Sequence, residues 1–530
     1  MTTARPHARR RGLAALVLVL AAAGGGAGCG EDPTAVLVTI RPDPNLTLDA
    51  LVVSAVGRGA AGATCDLGPQ TYPVAGFAWP QSIAVLAGAR CGGGVDLAVV
   101  AFDRGLEVGR GGAAVRFAAG GTVAAEVTLR AACRGVVCEG RAFCGAGGAC
   151  VPAARRLAFA VNAVAAGDQA TPAVTAVGDA GFVVVWVDAA EAQPQLRMRR
   201  FDADGLPQGE ADQGVAPGAE QAFPAITADP AGAGFVVAWA EGQQGLRARR
   251  FDAAGAPLGA AEAPAPGVTA AQIAPALASS PQGLLLAWQD ARPPAGTGFS
   301  VMFRRLLWQG TWMESADYVG QPPTAAEFAP AVAGSCNDAE TFLVAWRDTS
   351  NAPGEIRGRW VAGSPPAAGQ EAPLSTGGGD KGSVAAATGA GASVIVWDDL
   401  GAAAASHAIR LRRCGTAGAL LTPEVEVATL ATSREARPAV GVAGTTTLVA
   451  WESVEAADDT DTAIRAQRFV GDAPDGESFL IAPARAGAQA LPRIAGAAAG
   501  FLVVWQELGS DGASGGLGIR ARLLGVHDAP

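Results

Sequence analysis

The run FVVVWVD, Phe182 to Asp188, returns about fifty residues later as FVVAWAE, Phe235 to Glu241. Five further runs share the pattern: LLLAWQD at Trp288, FLVAWRD at Trp346, SVIVWDD at Trp397, TLVAWES at Trp451 and FLVVWQE at Trp505. The tryptophans are 53, 49, 58, 51, 54 and 54 residues apart. Upstream of six of them a proline opens a short apolar run, at Pro172, Pro224, Pro275, Pro330, Pro438 and Pro492, and Ser383 stands in the fifth place. Downstream comes an arginine-alternating run: LRMRRF, LRARRF, VMFRRL, IRGRW, IRLRR, IRAQRF and IRARL, from Leu196, Leu246, Val301, Ile356, Ile409, Ile464 and Ile519. Three markers in fixed order, seven times, define a repeated unit.

Each unit reads as a strand opened by proline, a turn, an apolar strand, a variable loop, an arginine strand and a weaker last strand. The apolar strand suits a sheet covered on both faces, whereas the alternating arginine strand suits a position nearer the rim. Four antiparallel strands per ~50 residues is the unit of a β-propeller blade. The expected fold is therefore all-β, with a seven-bladed β-propeller over residues 157–530. The last unit stops after its third strand, and LAFAVNAVAAGDQ, Leu157 to Gln169, looks like a fourth strand without its first three. The segment 157–166 should then pair beside Ile519 to Leu524 and remove the free sheet edge. An open solenoid is the structural alternative that the repeat leaves open. The tryptophans, present in every unit, read as scaffold, and the acid that follows reads as half of a cross-strand ion pair with the arginine run.

The 530 residues suffice for two or three domains. Half are apolar, glycine and proline are frequent, and the formal charge is −10. That balance opposes a general phosphate-binding surface and sets nucleic acid aside as a partner. At the N-terminus Arg5, Arg9, Arg10 and Arg11 precede GLAALVLVLAAAGGGAGC, which reads as an export signal over residues 1–28. The apolar part is nearer ten residues than the ~20 a bilayer needs, which opposes a spanning helix. The GAGC of Gly26 to Cys29 resembles a bacterial lipobox, although Gly26 stands where that family usually has leucine. The resemblance implies lipidation of Cys29 and a chain anchored to the envelope membrane; simple signal cleavage nearby is the alternative. Residues 30–131 hold short β-type runs between glycine-rich turns and read as a small β-sandwich. It would hold the propeller away from the lipid.

Without Cys29, eight cysteines remain: Cys65, Cys91, Cys133, Cys138, Cys144, Cys150, Cys336 and Cys414. An even number in an exported chain points to disulfides. Four of them fall within CRGVVCEGRAFCGAGGAC, expected to be a disulfide-rich knot over 132–152. A zinc site is the competing reading, but the spacings lack CxxC pairs. Cys65 with Cys91 is a candidate bridge, and the pairing of Cys336 with Cys414 stays open.

Function should lie where the units differ. The step from the tryptophan to the first arginine-row position is eight residues in the second unit and thirteen to fifteen in the last three. These loops carry Asp398, Asp399 and His407 in the fifth unit, and Glu452, Glu455, Asp458, Asp459 and Asp461 in the sixth. They are the candidate ligand-binding residues, for a protein or glycan partner. Oxygen ligands at this density could hold Ca²⁺, but no DxDxDG series with a closing glutamate is present, and no other cofactor is expected. DADG, Asp202 to Gly205, reads as a turn. No GxSxG, HExxH or P-loop occurs, and three histidines give Ser/His/Asp or Cys/His chemistry little to work with. The plan resembles sialidase-like propellers, which implies an alternative role as a polysaccharide hydrolase; the SxDxGxTW box of that family is absent. The whole organisation resembles envelope propeller lipoproteins of Gram-negative bacteria, which implies a non-catalytic binding or scaffolding module.

Overall fold

The seven apolar runs are the second strands of seven antiparallel sheets: Phe182–Asp188, Gly234–Glu241, Gly283–Asp290, Phe342–Asp348, Ala392–Asp399, Thr446–Val454 and Gly500–Leu508. In this computed structural model the described residues are 16–19, 35–43, 46–58, 64–74, 79–86, 94–116, 122–136, 142–144, 150–152 and 158–525. Within the last span the exceptions are 165, 179–180, 191, 204, 206, 210, 243–244, 269, 293–297, 320–325, 335–340, 363–366, 378, 390–391, 402–406, 416–418, 430–433, 455–461, 483–486, 498–499 and 510–515. The chain divides into two compact units, residues 1–157 with 527–529 and residues 158–526 with 530.

In the larger unit the first six sheets run in chain order from an inner first strand, marked by proline in all but the fifth, to the outer edge. In the second sheet two isolated bridges, Ala248 to Glu262 and Phe251 to Pro257, take the outer place. The first strands contact one another in sequence, and the seventh, Gln489–Ala497, returns to the first, Gln169–Ala176. This ring of radiating sheets is a β-propeller plan. The seventh sheet takes its outer strand from the other end of the unit: Phe159 pairs with Ala521 and Ala160 with Arg520. The Val161 amide donates to the Ile519 carbonyl at 2.8 Å, and the Asn162 side chain accepts from the Ile519 amide at 3.0 Å. The chain thus fastens itself with residues more than 350 positions apart.

All seven repeat tryptophans are fully buried, each in the space between neighbouring sheets. Apolar residues on both faces of the second strand follow from that covering. Two polar rows hold the sheets to one another. The first residue of each first strand is polar and buried: Gln169, Gln221, Gln272, Glu327, Lys381, Glu435 and Gln489. Its Cα partner across the strand pair is the acid of the tryptophan motif, or Ser453 in the sixth unit. In the second, fourth and seventh units the same side chain accepts an amide from the preceding sheet: Leu196 to Gln221 at 2.8 Å, Val301 to Glu327 at 2.7 Å, Ile464 to Gln489 at 3.1 Å. A buried amide without an acceptor costs ~1–3 kcal/mol. Gln221→Leu should lose about that much in urea titration, while Gln221→Glu, which keeps the oxygen as Glu327 does, should lose less. Equal losses would mean that packing alone sets the position.

The second row is the middle arginine of the third strand. Arg249 reaches the Val215 carbonyl at 2.7 Å, Arg359 that of Val319 at 2.6 Å, Arg412 that of Leu374 at 2.6 Å and Arg522 that of Ile481 at 2.6 Å. Arg199 does the same at the closure, on Val161 at 3.0 Å. Each bond spans two sheets, so these arginines belong to the scaffold. The expected cross-strand ion pair is present in the first, second, fourth and fifth units: Arg197 with Asp188, Arg247 with Glu241, Arg357 with Asp348 and Arg410 with Asp399. In the third unit Met302 stands opposite Trp288, and Asp290 instead takes Arg292 and the indole N–H of Trp288.

The smaller unit contains two four-stranded sheets. One joins Leu16–Val19, Gln81–Leu86, Ala35–Pro42 and Thr122–Leu129; the other joins Thr64–Pro73, Ala50–Arg58, Gly94–Asp103 and Leu106–Arg116. Alternate residues of both, Val38 and Ile40, Leu51 and Val53, Leu97 and Val99, Val127 and Leu129, share one core. Leu16–Val19, inside the stretch read as an export signal, is the parallel edge strand beside Gln81–Leu86. Its residues are apolar and half of them β-branched, which suits a pleated strand. Among the described residues no helix is long and apolar enough to cross a membrane.

Cys133 is buried and disulfide-bonded, and Cys144 and Cys150 are Cα partners in a two-stranded ladder. The side chains of Cys65, Cys144 and Cys150, and the whole of Cys29, Cys91, Cys138 and Cys336, lie outside the described residues. Cys414 is a correction to the sequence reading. It is a free thiol, fully buried among Leu343, Ile395 and Trp397, and therefore not half of a bridge to Cys336. Burial pushes its pKa up to about 12, against a smaller opposing pull from Arg412. Cys414 should resist alkylation in the native protein near pH 8 and react only after unfolding; rapid native labelling would show that the pocket opens.

Candidate functional site

Each first strand has a bulge near its start, between Ala170 and Ala173 in the first unit and at the corresponding place in the other six. In six units the residue before the proline is left-handed: Thr171, Phe223, Ala274, Ala329, Arg437 and Leu491, with φ from +47° to +53°. Non-glycine residues there carry strain of ~1–3 kcal/mol, so surrounding bonds must fix them. A bulge frees an amide from the ladder, and the residue after the tryptophan in the preceding unit accepts it at three junctions. Gln506 takes the Thr171 amide at 3.1 Å, Gln289 that of Ala329 at 3.1 Å and Glu452 that of Leu491 at 2.7 Å.

These strands surround a cavity of ≈1660 Å³. Most of its wall is proline, alanine, valine, glycine and threonine from the first strands. Charged side chains concentrate on the fourth to seventh units: Arg347, Asp398, His407, Arg434, Arg437, Glu452 and Arg493. Of the sequence candidates, Asp398, His407 and Glu452 therefore meet on one wall. Asp399 sits behind them, bonded to the buried Lys381 at 3.0 Å and facing Arg410 at 3.6 Å. Glu455, Asp458, Asp459 and Asp461 lie outside the described residues.

The fifth unit departs most from the repeat. Lys381 replaces the buried glutamine, Ser383 replaces proline, and Asp398 follows the tryptophan. Ser383 donates its hydroxyl to Asp398 at 2.8 Å. Gly382 permits this approach, because a Cβ there would lie 2.2 Å from an Asp398 carboxylate oxygen. Burial raises the Asp398 pKa, opposed by bonds from Ser383 and by the charge of Arg347. A raised native pKa means that the folded state binds this proton more tightly than the unfolded chain. The favourable contribution is present below the unfolded value near 3.8 and is lost as pH rises through the native one. Asp398→Asn should accordingly raise the melting temperature at pH 7, with a smaller gain below pH ~4. A gain independent of pH would assign the effect to packing.

The arginines were hidden from sequence reading by the abundance of arginine in every unit. Arg347 bonds Asp380 at 3.0 Å, and Arg437 bonds Glu452 at 3.0 Å. Arg493 is exposed to the cavity, yet the protein packed around it pushes its pKa down by desolvation; Glu452 opposes that shift and Arg437 adds to it. Among the described residues no group of three or more His, Cys, Asp or Glu side chains could hold a metal ion. The DADG segment is a turn: the Gly205 amide, at φ +77°, donates to the Asp202 carbonyl at 3.0 Å.

No family model and no curated protein matches the chain. Among solved structures it is similar to the BP39L lectin from Burkholderia pseudomallei, at 14% identity and a TM-score of 0.45 over 70% of this chain and 98% of the lectin. A phage phi92 endosialidase aligns at 7% identity and a TM-score of 0.42, over 71% of this chain and 70% of that one. A puromycin hydrolase mutant aligns at 17% identity and a TM-score of 0.41, over 70% of this chain and 56% of the hydrolase. The chain thus spans little more than half the length of that hydrolase.

Proposed function

We propose that this is an exported envelope protein, lipid-anchored through Cys29, whose β-sandwich and disulfide knot carry a closed seven-bladed propeller acting as a non-catalytic binding module. The observation that carries the binding role is the composition of the cavity wall. Small and apolar side chains line most of the ring, and the carboxylates Asp398 and Glu452 of its charged sector are already bonded. Asp398 accepts from Ser383, and Glu452 accepts from Arg437 and from the Leu491 amide. Hydrolysis by two carboxylates would require one of them to be available as an acid and the other as a base or nucleophile. A wall of fixed charges in a wide cavity instead suits recognition of a protein segment or glycan.

The test places a photo-crosslinking residue at His407, on the cavity wall, or at the exposed Leu258, in the anchored protein within its own envelope. A ligand captured at 407 and not at 258, and recovered chemically intact, is the expected result. No capture at 407 would remove the cavity from consideration, and recovery of shortened glycan would favour hydrolysis.

A further inference from the structure

Two departures from the repeat fall side by side in the sixth and seventh units. After the marker residue of the first strand, six units carry a small apolar residue: Ala173, Ala225, Ala276, Ala331, Val384 and Ala439. The seventh carries Arg493. Before the proline, the other units have Thr171, Phe223, Ala274, Ala329 and Leu491, whereas the sixth has Arg437, in the left-handed region at φ +47°. Both arginines line the cavity.

Among the described residues, Glu452 is the carboxylate that bonds Arg437, and it also acts on the charge of Arg493, so two guanidiniums share it. The hydrogen bond described for the Arg493 guanidinium goes to the Pro492 carbonyl of its own strand, at 2.8 Å. In a chain of formal charge −10, this placement is not a consequence of composition. Nor is it scaffold, since the scaffold arginines sit on third strands and bridge to neighbouring carbonyls.

We propose that Arg437 and Arg493 hold an oxyanion group, carboxylate, sulfate or phosphate, of the ligand that enters the cavity. The inference rests on the binding role proposed above and adds the ligand's chemical class. Guanidinium forks match planar and tetrahedral oxyanions by paired N–H bonds. Glu452 holds the Arg437 fork in place, and the ligand supplies the second negative charge.

The full-length protein is titrated calorimetrically with digalacturonate, inorganic sulfate and inorganic phosphate, and with neutral digalactose as control. At least one anion should bind, more weakly as salt is raised, and their ranking identifies the oxyanion. Arg493→Gln and Arg437→Gln should each weaken it about tenfold, ~1.4 kcal/mol, with Arg493→Lys in between. Arg104→Gln, whose side chain is 90% exposed in the smaller unit, should bind as wild type. Among the described residues Arg493 makes no hydrogen bond to a neighbouring sheet, so its variant should keep the native melting temperature. Absence of binding by all three anions, or anion binding unchanged in Arg493→Gln, overturns the inference. If digalactose binds as well as digalacturonate, or crosslinking at 407 succeeds under either result, the binding module stands without the oxyanion.

Discussion

Trp346→Ala should destabilise the larger unit by ~3–5 kcal/mol, the cost of truncating a large aromatic in a packed interior. Its indole is fully buried in a core shared by two sheets, with Ala278, Leu285, Ala287 and Phe303 on one side and Val332, Phe342 and Val344 on the other. Cavity formation there loosens a junction between sheets as well as one strand. Guanidinium titration followed by tryptophan fluorescence measures the loss, with the remaining tryptophans as reporters. A change below about 1 kcal/mol would place the ring outside the core. The corresponding change at Trp288 should be larger, because Asp290 would also lose the indole N–H that it accepts at 3.0 Å.

The second large effect is at the closure. A chain beginning at residue 158 should melt well above one beginning at residue 167. The nine intervening residues include Val161, fully buried beside Ile519 and Trp186, and Asn162, which accepts the Ile519 amide. Their removal also takes the acceptor from Arg199 and leaves the last strand as an open edge. Several kcal/mol are at stake, and each is worth ~1–2 °C in a unit of this size, given ~2.1 cal/mol/K of unfolding entropy per residue. Scanning calorimetry of the two chains provides the comparison. Equal midpoints would mean that the ring is held without its terminal strand.

Much of this was readable from the repeat. A continuous apolar run ending in tryptophan can be satisfied only between two covering layers, so the second strand of every unit was evident from residues alone. The arginine strand was equally plain by its alternation. The buried polar row at Gln169, Gln221, Gln272, Glu327, Lys381, Glu435 and Gln489 was not. Its residues differ in charge, and its distance to the tryptophan varies, so a pattern search built on hydrophobicity passes over it. Cys414 was misread because parity of cysteines suggests pairing, whereas the thiol here serves as a small apolar filler beside Trp397.

For the site, the long loops pointed to Asp398, His407 and Glu452, which do share the cavity wall. Arg437 and Arg493 were missed for a reason that generalises. Arginine is so regular in the third strands that an arginine on a first strand attracts no notice, unless units are aligned position by position. The informative signal was the interruption of PAVTAV and PAITA by PRIAG at Pro492.

The junction between Val161 and Ile519 also governs when the molecule can become native. Strands within a sheet are local hairpins and can pair as soon as they appear, but the clasp joins positions 358 residues apart. Loop closure over that length has to come late, after the intervening sheets have shortened the distance. A chain emerging from its N-terminus during synthesis therefore presents an incomplete circle until its final strand appears. During that interval the third strand of the last sheet is a sticky edge. Time spent between emergence of Ile519 and capture by Val161, rather than equilibrium stability, then sets how much of the chain is lost to aggregation.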